Sequence, residues 1–366
     1  MDLSKISTPA YVLDLPKLKA NVAVAAHIKK QTGCKIILAL KCFSLFAAFP
    51  HLKDALDGTT ASGLYEAKLG AEEFGKEIHV YSSAYDDAEI AELSKFADHI
   101  YFNSVSQYQR YAPQLKHAKL GIRLNPQFSQ VKTALYDPCA PCSRFGVIDV
   151  NTLPNNLHAL HFHALCENMA EESAAYINHV SNKFAPQIAG VKEVNFGGGH
   201  YFTHPNYKVD LLINAINNFQ QKHGVQVVLE PGAAIAYDTG YLVSSVLDIV
   251  QNEKDIAILD TSATCHMPDV LEMPYRPNIV GDGAHKHEYR LTGKTCLTGD
   301  VIGDYAFEKP LAVGDKLVFL DMIQYTMVKN TTFNGIPLPD IGILDEHGKY
   351  SIIKKFGYQH FKERLS

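Results

Sequence analysis

Short apolar runs alternate with segments of helical periodicity from the N-terminus to about residue 237. The clearest run is residues 35–43, KIILALKCF, whose apolar and β-branched side chains predict a strand buried on both faces. Residues 15–30 repeat apolar side chains at helical spacing, and Gly33 predicts the end of that helix. A strand, residues 8–14, precedes the helix. The chain therefore begins as strand, helix and strand.

The alternation continues over about eight strand and helix units. The next strands are predicted at residues 58–61, 78–81, 100–102, 119–124, 159–163, 194–196 and 225–230. Strands that alternate with helices indicate a parallel sheet, and about eight such units indicate a closed (β/α)8 barrel of the TIM type. A doubly wound open sheet is the second alternative.

The pattern changes after about residue 237. Strand-like segments, at residues 241–250, 256–260, 289–292 and 316–320, are separated by Gly, Pro and Asp turns with little helical spacing. We therefore predict an α/β protein with a barrel over residues 12–237. A second, mostly β domain, barrel or sandwich, is predicted over residues 238–366 together with residues 1–11.

Lys41 stands at the end of the run KIILALKCF. A cationic side chain at the end of a buried strand costs free energy unless it has a partner. Desolvation lowers the pKa of an ammonium group, which frees the amine to attack a carbonyl and form a Schiff base. A lysine whose ammonium reaches solvent just beyond the strand is the alternative.

Other polar residues also follow predicted strands. The glycines 197–199 allow backbone N–H groups to approach an anion such as phosphate, although such turns are common in loops. Glu230 closes the last barrel strand, where a carboxylate can hydrogen-bond a ring nitrogen or lie in a solvated loop. Strand ends share one rim of a barrel, the rim that carries active sites. We expect Lys41, His163, these glycines and Glu230 to lie there.

His161 and His163 project from one face of their strand, as the first ligands of metal-dependent barrel hydrolases do. Further ligands would have to come from other strand ends, and His200 and Asp260 are the convenient candidates. A hydrogen-bonded structural histidine is the alternative for His161.

The composition is that of a globular protein with a small-molecule partner. The 366 residues are 46% hydrophobic and 20% charged, with a net charge of -5 and no Lys/Arg-rich block, so nucleic acid and membrane partners are not expected. The absence of a signal-peptide pattern and the seven scattered cysteines lead us to expect a cytoplasmic protein. Cys139 and Cys142 form a CxxC, for which zinc or redox chemistry competes with a Pro-rich loop.

Two stretches of the second domain are dense in reactive side chains. A turn that only connects strands is the alternative for the first of them, residues 295–305. Their candidate residues are Cys296, Asp300 and Asp304 in residues 295–305, and Asp269, Glu272 and Arg276 in residues 265–276.

Together these motifs resemble the pyridoxal-phosphate decarboxylases of the alanine racemase and ornithine decarboxylase fold group, known as fold type III. The resemblance spans nearly the whole chain. The runs HMPDVLEMPYRP and GDY are similar to the branch that acts on carboxynorspermidine and carboxyspermidine. The resemblance implies a carboxy-lyase of polyamine biosynthesis that uses pyridoxal 5'-phosphate and no metal.

The resemblance also assigns roles. It implies that Lys41 in ALKCF carries the cofactor covalently, that His163 in HFHALCEN stacks on the pyridine ring, and that Glu230 in EPG pairs with the ring nitrogen. It implies a homodimer in which Cys296 and Asp300 reach the active site of the neighbouring subunit, where Cys296 is the proton donor. The residues implied to bind the phosphate are Gly197, Gly198, Gly199 and Tyr325. Those implied to bind the substrate are Glu230, Asp269, Glu272, Arg276, Asp300 and Asp304.

Two positions depart from the wider group. The EPGR of ornithine and diaminopimelate decarboxylases is EPGA here, so a phosphate-binding arginine is missing at Ala233. Leu297 follows Cys296 where those relatives have an acidic residue, which argues against ornithine or diaminopimelate as the substrate. The alternatives are an ornithine or diaminopimelate decarboxylase, a metal-dependent hydrolase using His161 and His163, and a non-catalytic cofactor carrier.

Overall fold

A strand and a long helix begin the described part of the chain, residues 6–366 of the computed structural model. Strand β1 (Ala10–Asp14) leads directly into helix α1 (Leu15–Thr32), which ends at Gly33 with a φ of +66°. The chain divides into two compact units. One unit is Lys19–Ile235. The other consists of two segments, the described residues up to Leu18 and Ala236–Ser366.

The first of these units contains the predicted closed barrel of eight parallel strands, which confirms the fold class. In order around the barrel the strands are β2 (Lys35–Ala39), β3 (Gly58–Ala61), β4 (Glu77–Tyr81), β5 (His99–Phe102), β6 (Lys119–Arg123), β7 (Ala159–His161), β8 (Glu193–Asn195) and β9 (Gln226–Leu229). β9 pairs in parallel with β2 and closes the barrel.

Helices follow the barrel strands, and two of them begin at side-chain caps. They are α2 (Leu64–Leu69), α3 (Asp87–Leu93), α4 (Val105–Tyr111), α5 (Ala170–Lys183), α6 (Ala185–Ile188), α7 (Val209–His223) and α8 (Ala233–Ala236). Asp86 and Glu89 form a capping box at α3, and the Ser104 hydroxyl accepts from the third residue of its helix at α4. Gly224 ends α7 in the left-handed conformation.

The second unit is built on a mixed sheet. Its remaining elements are β10 (Gly240–Asn252), β11 (Lys254–Leu259), α9 (Ala263–His266), α10 (Asp269–Glu272), β12 (Asp282–Thr292), β13 (Val301–Phe307), β14 (Lys316–Leu320), β15 (Asp340–Leu344), β16 (Tyr350–Lys354) and α11 (Tyr358–Glu363). The strand order is β13-β12-β11-β10-β1-β15-β16, and β14 also pairs with β10. Ile6, Ala10, Val12, Val243 and Leu344 form a buried apolar cluster in this unit.

Three details of the sequence prediction are wrong. Residues 12–14 were placed in the barrel, but β1 pairs antiparallel with β10 and parallel with β15, so its hydrogen bonds belong to the sheet. The strand expected to end at Lys41 ends at Ala39. Residues 301–305, expected as part of a loop, belong to β13. Residues 1–5 of the predicted β domain lie outside the described residues.

Among the described residues, no helix is both long enough and apolar enough to cross a membrane.

The barrel interior is polar and aromatic, in contrast to the branched aliphatic layers common in such barrels. Alternate residues of the strands contact one another there. The His79 and His99 rings stack with their centroids 3.8 Å apart, and the Tyr101 ring lies 5.0 Å from that of His161. Strands β4, β5 and β7 therefore carry hydrogen-bonding side chains on their inner face.

An ion cluster fills the end of the barrel where the strands begin. Lys35 Nζ lies 3.0 Å from Glu77 Oε1 and 3.1 Å from Glu193 Oε1, and His99 Nε2 lies 2.8 Å from Glu193 Oε2. His158 is 3.6 Å from the same carboxylate. Two groups here have ligand atoms close enough to hold a metal ion, but the Lys35 ammonium already lies between the two carboxylates.

Replacing Glu193 with Gln should destabilise the protein by about 3 kcal/mol near pH 7, because Lys35 and His99 lose a nearly buried acceptor. Burial alone would raise the pKa of Glu193, but the hydrogen bond from His99 and the charge of Lys35 outweigh it and lower that pKa. The stabilisation is thus complete above the ordinary pKa of 4.5 and is lost as the pH falls through the lowered value. Urea unfolding at neutral and acidic pH measures both effects.

The matched control is Glu171→Gln, which breaks the exposed 2.6 Å pair with Lys208. It should change stability little. Equal losses for the two variants, or a Glu193→Gln loss that does not shrink at acidic pH, would contradict the assignment.

Candidate active site

Lys41 lies two residues beyond β2, in a turn in which the Cys42 N–H donates to the Ala39 carbonyl at 3.1 Å. The residue is exposed at this end of the barrel. Desolvation by nearby protein atoms, together with the charge of Arg123, lowers the pKa of Lys41, while Glu230 acts in the opposite direction. The amine therefore loses its proton more readily than that of an ordinary lysine.

His163 follows β7 and is held by two hydrogen bonds. Its Nδ1 accepts from the Gly198 N–H at 3.0 Å, and Arg123 donates to its backbone carbonyl at 3.1 Å. Desolvation and the charges of Lys41 and Arg123 hold the pKa of His163 well below its usual range. The imidazole is therefore neutral and fixed in orientation.

The glycines after β8 have conformations and surroundings that exclude larger side chains. Gly199 has a φ of +89°, and a Cβ at Gly198 would lie 2.5 Å from the Glu230 carbonyl oxygen. The Gly197 carbonyl accepts from the Glu230 N–H at 2.8 Å, and the Gly199 carbonyl accepts from Asn168 N at 2.9 Å. The loop is thus hydrogen-bonded to the neighbouring strand ends.

The Glu230 carboxylate is buried and has a donor at each oxygen. Asn195 Nδ2 donates to Oε1 at 2.7 Å, and His161 Nε2 lies 3.4 Å from Oε2. Burial alone would raise the pKa of Glu230, but His161 and Asn195 outweigh it and lower that pKa to about 2. An ionised carboxylate is available at neutral pH to accept a proton donor.

Lys41, His163, the three glycines and Glu230 therefore lie at one end of the barrel, as the strand-end pattern predicts. The two groups of described residues that could hold a metal ion lie at the other end and contain neither His161 nor His163. Asp260 accepts from Ser244 Oγ at 2.6 Å within the sheet unit. The metal-hydrolase alternative gains no support from these positions.

The sheet unit carries the other candidates. Asp300 is buried and accepts from Ser262 Oγ at 2.8 Å, Thr295 Oγ1 at 2.6 Å and Thr264 N at 3.2 Å. Cys296 is exposed, and its backbone N–H donates to Asn334 Oδ1 at 2.8 Å. Tyr325 is half-buried in the loop after β14, with a φ of +31°.

The remaining charged candidates have partners within the sheet unit. Asp269 and Glu272 share the Lys329 ammonium. The Asp304 carboxylate forms ion pairs with Arg290 at 2.7 Å and with Lys254 at 2.9 Å. Arg276 forms an ion pair with Asp282 at 2.6 Å.

All seven cysteines are free thiols. Cys139 and Cys142 lie in the irregular loop between β6 and β7, where Cys139 N donates to Asp137 Oδ1 at 2.8 Å.

Sequence reasoning missed the inner residues of the site. Asn195 and Tyr101 were given no role, and His161, considered there as a metal ligand or a structural histidine, instead contacts Glu230. The available signal is the alternation within the strands, as in His99-Ile100-Tyr101, which puts polar side chains on the inner face. It could have suggested a polar interior without identifying the hydrogen-bond partners.

Comparison with known proteins adds the family. The family model described as "Pyridoxal-dependent decarboxylase, C-terminal sheet domain" matches residues 10–323. The chain is 43% identical over 385 residues to the carboxynorspermidine/carboxyspermidine decarboxylase of Campylobacter jejuni subsp. jejuni, covering 100% of both chains. It is also 43% identical to the carboxyaminopropylagmatine decarboxylase of a Synechocystis species, covering 99% of this chain and 96% of the relative.

A solved structure from the same family has a similar fold over nearly the whole chain. The crystal structure of carboxynorspermidine decarboxylase from Campylobacter jejuni, complexed with norspermidine, superposes with a TM-score of 0.90 at 42% identity. The match covers 98% of this chain and 100% of that chain.

Proposed function

The chain belongs to the pyridoxal-dependent decarboxylases, and from that premise we propose that it decarboxylates carboxynorspermidine or carboxyspermidine in polyamine biosynthesis. The observation that carries the choice of substrate is the 43% identity, over the full length of both chains, to a relative named for these two compounds. The products would be norspermidine or spermidine and carbon dioxide.

The barrel residues fit pyridoxal 5'-phosphate. The site joins an amine of lowered pKa, a neutral imidazole, an ionised buried carboxylate and a glycine turn in which a Cβ at Gly198 would come within 2.5 Å of backbone. The cofactor has a group to match each of these features. The amine matches its aldehyde, the imidazole its aromatic ring, the carboxylate its protonated ring nitrogen, and the glycine turn its phosphate. When bound, the cofactor supplies the electron sink that a departing carboxylate requires.

Each residue then has one task. Lys41 would hold the cofactor covalently. Glu230 would accept the N–H of the cofactor ring, and His163, held in place by Gly198 and Arg123, would present a neutral face to that ring. Gly197, Gly198, Gly199 and Tyr325 are proposed to bind the phosphate.

The reaction replaces the α-carboxylate with a proton, so a proton donor is needed at the carbon that loses carbon dioxide. We assign this task to Cys296, whose thiol is exposed on the sheet unit. Net, one substrate molecule and one proton give one amine and one carbon dioxide. We further propose that Cys296 and Asp300 act in the active site of the partner in a homodimer.

The polyamine part of the substrate carries ammonium groups that need acidic partners away from water. Asp300 is the first candidate, because it accepts from hydroxyl and N–H groups and forms no ion pair within the described part of the chain. Asp269, Glu272 and Asp304 would have to release Lys329, Arg290 or Lys254 first. Arg276 and Glu230 remain candidate substrate contacts.

Lys41→Ala should abolish covalent retention of the cofactor and lower turnover about a thousandfold or more, because the variant lacks the amine that forms the bond. Borohydride reduction followed by peptide mass mapping should label Lys41 in the wild-type protein and nothing in the variant. Lys208→Arg, an exposed lysine on the same unit, is the control and should behave as wild type. A colourless wild-type protein, or label on another lysine, would contradict the proposal.

A substrate panel tests the specificity. We expect carbon dioxide release from carboxynorspermidine and carboxyspermidine, with kcat/KM values within about a hundredfold of each other, because they differ by one methylene group. Carboxyaminopropylagmatine belongs in the panel, since a relative of equal identity is named for it. Ornithine and diaminopimelate should be poor substrates. A preference for either of these two would overturn the polyamine assignment.

A mixed dimer tests the shared site. Lys41→Ala and Cys296→Ala chains, each with its own affinity tag, should be nearly inactive alone. If Cys296 completes the partner's site, one of the two sites in each heterodimer is intact, and random mixing should restore about one quarter of wild-type activity. If both residues serve their own chain, every site lacks one of them and no activity returns. Cofactor absorbance of the Cys296→Ala chain verifies that its barrel is loaded.

A further inference from the structure

Asn195 contacts two different parts of the candidate site from inside the barrel. Its Oδ1 accepts from the Gly197 N–H at 2.8 Å, its Nδ2 donates to Glu230 Oε1 at 2.7 Å, and its side chain is fully buried. We infer that Asn195 is the positioning residue that fixes Glu230 relative to the glycine loop, and that Tyr101 and His79 fix Asn195. The inference rests on the proposed function, because it takes Glu230 and the glycines as receiving the ring nitrogen and the phosphate.

The amide of Asn195 has one chemically sensible orientation. The backbone N–H of Gly197 can only donate, so the atom facing it has to be the amide oxygen. The ionised Glu230 carboxylate can only accept, so the atom facing it has to be the NH2 group. A flipped amide would place oxygen against carboxylate and N–H against N–H.

A column of hydrogen bonds continues below Asn195 toward the other end of the barrel. Asn195 Nδ2 also donates to the Tyr101 hydroxyl at 3.3 Å, and that hydroxyl lies 3.3 Å from His79 Nδ1. His79 Nε2 lies 3.1 Å from Glu77 Oε2, which Lys35 also contacts at 3.0 Å.

The donors in this column are consistent at every step. Because Glu77 only accepts, His79 carries its proton on Nε2 and accepts the Tyr101 O–H at Nδ1. The Tyr101 oxygen is then left to accept from Asn195. The proton positions that Glu77 imposes along the column therefore agree with the amide orientation that Gly197 and Glu230 require.

Few other groups can hold Glu230. Among the described residues, the titratable side chains that act on its carboxylate, or on which it acts, are Lys41, His79, Tyr81, Tyr101, His161 and Tyr176. Of these, His161 contacts the second oxygen at 3.4 Å, and its Nδ1 has no partner among the described residues. The shorter contact to Asn195 is the one that also reaches the glycine loop.

Asn195→Asp separates the two contacts of the amide in the holoenzyme. The variant keeps an acceptor for Gly197, so the Kd for pyridoxal 5'-phosphate should stay within about threefold of wild type. It also places a second carboxylate against Glu230, and the two must share a proton. We expect kcat to fall about tenfold or more, and the absorbance of the bound cofactor to gain an ionisation between about pH 5 and 9.

Two further variants complete the test. Asn195→Ala loses both contacts, so its Kd should rise about tenfold as well. Tyr101→Phe removes only the hydroxyl and should lower kcat several-fold without a change in Kd. The control is Tyr111→Phe, which deletes a buried hydroxyl that donates to the Tyr85 carbonyl at 3.0 Å away from the column. It should leave Kd, kcat and absorbance unchanged.

The outcomes distinguish this inference from the proposed function. Equal Kd changes for Asn195→Asp and Asn195→Ala, with a wild-type absorbance profile in both, would overturn the positioning role. If the Asn195 variants do not fold, identical kinetics and spectra for Tyr101→Phe and Tyr111→Phe would overturn it. A wild-type protein that neither binds pyridoxal 5'-phosphate nor releases carbon dioxide would overturn the proposed function itself.

Discussion

The constraint on which the site depends is that Glu230 has to stay ionised inside a closed barrel. A buried carboxylate costs several kcal/mol unless hydrogen-bond donors replace its water. The donors here are Asn195 on β8 and His161 on β7, which are paired residues of adjacent strands. Because a one-residue slip would turn both side chains outward, strand register and the charge of Glu230 are linked.

This constraint accounts for the unusual lining of the barrel. Apolar layers would pack well but could not orient Asn195, whereas Tyr101 and His79 fill the same space and hydrogen-bond in sequence. Such a column is stable only if each polar group has a partner, and at its lower end the ammonium of Lys35 lies between the carboxylates of Glu77 and Glu193. The ion cluster and the active site are therefore two ends of one polar interior.

The sequence indicates those features that depend on local pattern. Alternating periodicity predicts the barrel, and the polar residues at strand ends predict that Lys41, His163 and Glu230 share a rim. What fails depends on pairing between distant residues. β1 resembles a barrel strand, but its hydrogen bonds go to β10 and β15, more than two hundred residues away in the chain. Likewise, nothing local indicates that Asp304 pairs with Arg290 and Lys254.

The distribution of charge bears on which groups of the proposed substrate each unit could bind. Arg123 places a cationic group at the barrel end that holds His163 and Glu230, and this suits a phosphate and a substrate carboxylate. The ammonium groups of a polyamine would be repelled there. The proposed partner for them is Asp300 of the sheet unit, which accepts from hydroxyl and backbone donors and forms no ion pair with any residue that the structure describes. A buried carboxylate without an ion pair is costly to a protein on its own, and an incoming ammonium group offsets that cost.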